Sequence, residues 1–279
     1  MRQACAQGRR WLAWALLALV APVQGHEFWL LPQDFAVEPG ASTALFVSVG
    51  EQFVGERVGL AQTGVAAFAQ YTHGRRSDLL PTLPRVTPAG QVRVQLPQPG
   101  LHLFALDTQP NEVVLEAPKF HAYLRDEGLH SVIARRQAAG HAGQPGRERY
   151  RRHVKTLLLA GPTSHGGWFT RIGQRLELVP LHDPYRLAAG AELGLELLFE
   201  GRPLAGALVK CWHRRAGRTE VLSARTDARG RVSLRLPWAG VWMASAVHMI
   251  PTVGSQFYDW DSFWANLSFS LPASTPAPG

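Results

Sequence analysis

The run Leu193–Met249 decides the fold. It opens with LGLELLF (Leu193–Phe199), turns at Glu200-Gly201-Arg202-Pro203, and resumes as ALVKCW (Ala207–Trp212). VLSAR (Val221–Arg225) follows, then the turn Thr226-Asp227-Ala228-Arg229-Gly230, then RVSLRL (Arg231–Leu236). A second turn, Pro237–Gly240, leads into VWMASAVHM (Val241–Met249). Short apolar runs punctuated by Gly, Asp and Pro predict a small antiparallel sandwich. In Val241–Met249 both alternating sets of side chains are apolar, which predicts a strand covered on both faces.

The same texture extends outward. Phe28–Leu31 is apolar and stopped by Pro32, and Ala44–Val49 stops at Gly50. Val92–Leu96 alternates with period two, and Gly100–Leu106 follows a Pro-Gly turn, which predicts a hairpin between them. Phe120–Glu127 and Leu129–Ala139 carry helix formers, with Gly140 as a stop. After the loop Gly143–Gly146, Glu148–Lys155 reads as one further helical turn before the apolar strand Thr156–Ala160. Beyond the sandwich, Phe257–Phe269 is aromatic-rich and contains the alternating run Phe263–Leu271. Its aromatics read as packing between sheets in preference to a sugar-stacking platform. The expected fold is mainly β, with two β-sandwich-like domains and short helices inserted in the first. A break at His182-Asp183-Pro184 divides residues 26–185 from residues 186–272, and residues 273–279 read as a disordered Pro-rich tail.

The first 25 residues read as a cleavable signal peptide, so the expected location is the periplasm. Arg2, Arg9 and Arg10 precede the uncharged run Trp11–Val20, and Ala21–Gly25 supplies small residues and a proline ahead of His26. The apolar run is short for a membrane span, so the processed chain is not expected to cross the membrane. Processing removes Cys5 and leaves Cys211 alone, so no intrachain disulfide is expected. It also lowers the formal charge from +8 to +5. The remaining arginines are scattered, with Arg147–Lys155 the densest cluster. They lack the aromatic-basic interleaving of a nucleic-acid surface, so no nucleic-acid partner is expected.

Several stretches match a known family in order. They are His26-Glu27-Phe28-Trp29-Leu30-Leu31-Pro32, Val49-Gly50-Glu51-Gln52-Phe53, Tyr123–Leu129, Arg149–Lys155 and Leu176–Pro180, followed by Leu198–Ala207, Thr226–Gly230, Gly240-Val241-Trp242 and Trp264–Phe269. On these the chain resembles a periplasmic family of unknown function whose members are often described as periplasmic components of nickel or cobalt uptake. The second half also resembles the transthyretin-like or carboxypeptidase-regulatory β-sandwich, a likeness of fold rather than of chemistry. The resemblance implies a nickel or cobalt ion as cargo and a membrane metal transporter as partner.

Among individual side chains, His26 carries the most chemistry. Cleavage after Gly25 would give it a free α-amine, with a reference pKa of about 7.7–8.0, beside its own imidazole. Those two nitrogens can chelate a borderline ion such as Ni(II) or Cu(II), and one more histidine would complete a three-nitrogen brace. His102, within Gly100–Leu106, and His248, near the end of Val241–Met249, are the candidate partners. The candidate metal ligands are therefore His26, His248 and His102, with Ni, Co or Cu as the ion. His121, His165 and His182 read as surface residues, with His165 a further lid-ligand candidate. His73, His130, His141, His153 and His213 read as solvent residues. Asp259 and Asp261 could share a strand face as oxygen ligands, although a solvated loop is the simpler reading. No His-x-x-x-His, Cys-x-x-Cys, Gly-x-Ser-x-Gly or phosphate-loop pattern is present. The best reading is a non-enzymatic metal-binding protein supporting uptake. A histidine-brace oxidative enzyme and a plain interaction module are the alternatives.

Overall fold

Short apolar runs bounded by Gly, Pro and Asp form strands through most of the chain, as seen in a computed structural model that describes residues 26–87, 90–164, 166–167 and 169–273. The expected signal peptide, the tail beyond residue 273 and His165 lie outside the described residues. In chain order the first strands are β1 (Glu27–Pro32), β2 (Ala36–Val37), β3 (Ser42–Glu51), β4 (Val54–Arg57), β5 (Leu60–Ala61), β6 (Val65–Thr72), β7 (Arg75–Asp78), β8 (Val86–Thr87), β9 (Gln91–Gln95), β10 (Gly100–Thr108) and β11 (Asn111–Leu115). Two helices follow, α1 (Ala117–Asp126) and α2 (His130–Ala138). The remainder is β12 (Gly146–Ala160), β13 (Leu176–Pro180), β14 (Glu192–Phe199), β15 (Arg202–Pro203), β16 (Leu208–Arg215), β17 (Arg218–Arg225), β18 (Arg231–Arg235), β19 (Gly240–Pro251) and β20 (Trp260–Leu271). The fold is mainly β.

A ten-stranded sheet runs β17-β16-β19-β20-β12-β10-β6-β7, with β11 and β2 also paired to β12. The two halves of the chain meet in it where β12 lies parallel to β20. The alternation of side chains on β10 and β12 shows how the layers stack. Leu101, Leu103 and Leu157 enter a core with Leu195, Leu197 and Phe263, beneath the outer sheet of β13, β14, β15 and β18. Phe104, Leu106, Val154 and Leu158 point the other way, into a core with Phe28, Leu45 and Val47, beneath the outer sheet of β1, β3, β4 and β9. The central sheet is therefore covered on both faces, which is why β19 and β10 are apolar at nearly every position. Residue 185 falls between β13 and β14, which pair with each other. Cys211 is fully buried, and burial pushes its thiol up to about 12.

The helices form where their residue types predict. Pro118 starts α1, where a missing N–H costs nothing, and Gly128 and Gly140 end the helices at φ of +68°. Phe120, Tyr123, Leu124 and Val132 pack on Val247, Met249, Trp260 and Trp264 of the central sheet. Tyr123 stacks on Trp264 with ring centroids 5.6 Å apart.

Two local expectations are corrected. Glu148–Lys155 is not helical but part of the fifteen-residue strand β12. Its charges find partners distant in sequence: Arg147 with Asp259, Arg149 with Asp261, His153 with Asp107 and Lys155 with Glu177. These contacts and the two neighbouring ladders outweigh helix propensity, which is a weak prior. The second correction concerns Val92–Leu96 and Gly100–Leu106, which form no hairpin. β9 pairs with β3 in an outer sheet, while β10 pairs with β6 and β12 in the central one. Pro97 and Pro99 lack the N–H groups that a tight hairpin would use, and the chain turns a corner between layers.

Candidate functional site

His26 precedes β1 at its pairing with the end of β3. Its Nε2 lies 3.4 Å from Glu51 Oε1, with the two side chains 47% and 32% exposed. Arg152 Nη2 donates to the His26 carbonyl at 3.1 Å, and its guanidinium lies over Phe28, which ties the start of β1 to the central sheet. Beside Glu51 is a cavity of about 310 Å³ whose charged lining is Glu27, Glu51, Asp126, Glu127 and Lys210. Lys210 Nζ pairs with Glu127 Oε1 at 2.8 Å. Burial pushes the Glu127 carboxyl up to about 7, against the opposing pull of Lys210. Glu27 is 4% exposed; its Oε2 accepts from Asn266 Nδ2 at 2.7 Å, and its Oε1 is buried without a partner. The lining holds four carboxyl groups and one lysine, with Arg125 Nε also 3.7 Å from Asp126 Oδ1, so a modest excess of acidic groups faces this cavity.

The structure does not bring His102 or His248 to His26. His102 is fully buried and both ring nitrogens are engaged: Gln70 Nε2 donates to Nδ1 at 2.8 Å, and Nε2 donates to the Gln98 carbonyl at 2.8 Å. Burial lowers its pKa, so this neutral histidine fastens the corner between β9 and β10. It stands opposite Leu158 on β12, six positions from Arg152, or about 20 Å at the rise of a strand. His248 stands opposite Phe263 and meets Phe199 edge-on at 4.5 Å, on the face beneath β14. His26 lies on the other face, so the central sheet separates the two. A three-nitrogen brace among these histidines does not form. Among the described residues, no group of three or more His, Cys, Asp or Glu side chains is arranged to hold a metal ion.

Other titratable residues are structural. Asp259 is partly exposed and Asp261 buried, and each accepts two hydrogen bonds from the side chain of one arginine, Arg147 and Arg149 respectively. His153 and His213 are buried, contrary to their polar sequence surroundings. His153 Nδ1 meets Asp107 Oδ1 at 2.7 Å, and His213 packs against both Trp238 and Trp242, which also contact each other. Trp260, Phe263 and Trp264 are buried in the sheet packing, whereas Phe257 is exposed.

Glu148 is buried beneath α1, accepting from Tyr123 and Ser262, and burial pushes its carboxyl up to about 7. A raised folded-state pKa favours the fold below the ordinary value of 4.5, and that contribution is lost as the pH rises through about 7. Glu148→Gln should therefore match the parent near pH 4 and exceed it near pH 8 by roughly 3 kcal/mol. Urea unfolding at both pH values checks this; equal stability at pH 8 contradicts it.

A search of curated proteins finds no match. Among solved structures, the chain has slight similarity to a Salmonella alpha-2-macroglobulin mutant, with 10% identity, TM-score 0.20, and coverage of 90% of this chain and 16% of that one. The native E. coli alpha-2-macroglobulin gives 10% identity, TM-score 0.18, and coverage of 88% and 17%. The chain thus spans a small part of those proteins, and likeness at this level supports no inference. The sequence itself is decisive at the level of family: residues 23–250 match the model described as a domain of unknown function, DUF4198, and the chain belongs to that family.

Proposed function

We propose that this protein is exported to the periplasm, where it binds a transition-metal ion at its processed N-terminus for delivery to a membrane uptake system. The observation that carries the reading is the pairing of His26 with Glu51 at the mouth of the carboxylate-lined cavity. A carboxylate facing Nε2 favours the tautomer that protonates Nε2, which leaves the Nδ1 lone pair for a metal. The α-amine released by cleavage after Gly25 supplies the second nitrogen of the chelate. Two nitrogens from one residue, with oxygen donors nearby, suit Ni(II), Co(II) or Cu(II). The family resemblance favours nickel or cobalt. This donor set needs no second histidine.

Calorimetric titration with Ni(II) and Cu(II) tests the reading on protein that begins at His26. His26→Ala should lose tight binding, and Glu51→Gln should weaken it by about tenfold or more. If His26→Ala binds both ions as tightly as the parent, the reading is wrong.

A further inference from the structure

A second concavity lies on another part of the molecule, between α2, the loop that follows it, and the segment joining β19 to β20. Its volume is about 700 Å³, in the range of small-molecule sites. Its charged lining is Arg135, Arg136, Arg147 and Asp259, with His141 beside them. Asp259 is already bound by Arg147, whose guanidinium donates to both carboxylate oxygens, so this pair cancels. Arg136 has no such partner. It is 6% exposed, its Nη2 donates to the carbonyls of His141 and Gln144, and its guanidinium lies over Phe120 at 4.8 Å. Those neutral contacts hold the cation in place; Asp259, the carboxylate that acts on it electrostatically, makes its ion pair with Arg147 instead. Arg135 makes no ion pair among the described residues.

Two further groups in the lining lack partners. The indole Nε1 of Trp260 and the hydroxyl of Thr252 are both buried without a hydrogen bond. A buried donor left unpaired costs about 1–3 kcal/mol, so two beside a buried arginine that makes no ion pair call for a common explanation. An occupant with acceptor oxygens and negative charge satisfies all three. The N–H of Trp260 can only donate, which rules out a cation for that position.

We propose that this groove binds a small organic oxyanion, a carboxylate or phosphate ester that also carries hydroxyl groups. Arg135 and Arg136 supply the charge, and Trp260 and Thr252 donate to the polar atoms. The site is independent of the one at His26.

The test uses the intact processed protein, with glucuronate and glucose 6-phosphate as anionic probes and glucose as the neutral control. Calorimetry measures binding, and the indole N–H resonance of Trp260, assigned by loss in Trp260→Phe, reports on occupancy. At least one anion should bind, shift that resonance, and bind more tightly than glucose. The two anions separate carboxylate from phosphate ester. Arg135→Ala, at an exposed position, and Thr252→Val should each weaken binding about fivefold or more without changing the unfolding midpoint. The inference is overturned if glucose binds as well as both anions. It is also overturned if neither anion binds at about 20 mM, or if binding leaves the Trp260 resonance unmoved.

Discussion

Glu177→Gln is expected to lower the unfolding free energy by about 3–5 kcal/mol, because it strands a buried ammonium. Lys155 and Glu177 are each 2% exposed, and Nζ lies 2.6 Å from Oε1. The carboxylate is also held by two backbone donors, Ile172 N at 2.8 Å and Gly173 N at 3.0 Å. Burial lowers the Lys155 pKa, and Glu177 opposes that shift most. The glutamine variant removes the compensating charge from the protein interior. Lys155→Met should cost less, since Glu177 keeps both backbone donors. Urea unfolding of the two variants at neutral pH checks the order; a Lys155→Met protein less stable than the Glu177→Gln protein contradicts it.

That ion pair also marks where sequence reading stops. Apolar runs such as Leu193–Phe199 and Val241–Met249 announce their strands because hydrophobic alternation and turn residues are local signals. The helices at residues 117–138 are legible for the same reason, from their helix formers and from the glycines that end them. β12 is not, since the charges of Arg147–Lys155 are explained only by Asp259, Asp261, Asp107 and Glu177, all remote in the chain. The corner between β9 and β10 is hidden in a similar way. A Pro-Gly turn suits a hairpin, and only the layering shows that the adjoining strands belong to different sheets.

The candidate site was legible in one residue. His26 stands out because of the cleavage expected before it, but its neighbour Glu51 is identified by strand register, which a single sequence does not display. His102 and His248 are apolar-flanked histidines on strands, and the face each one occupies depends on the layers above and below. Burial of His213 against two tryptophans left no local trace in the run Trp212–Arg215.

The second large effect concerns the α-amine of His26. The reading assigns two metal-binding nitrogens to this one residue, so acetylating its α-amine should abolish the chelate while leaving every side chain in place. N-acetylated His26 carries a neutral amide in place of the amine, so only the imidazole nitrogen of that residue remains to bind a metal. Glu51, Glu27 and the cavity are untouched, so charge attraction alone would survive the change. Affinity for Ni(II) and Cu(II) should therefore fall by at least about a hundredfold, or 2.7 kcal/mol. It should also rise with pH in the unacetylated protein, because the metal competes with the proton on an amine of reference pKa about 7.7–8.0.

The most direct measurement is a calorimetric titration of Ni(II) at pH 7.5 into two proteins, one with a free amine at His26 and one acetylated at that amine. Tight one-to-one binding to the first and its loss in the second is the predicted result. Equal affinity in both, or no binding to either, would contradict a metal site at the processed N-terminus.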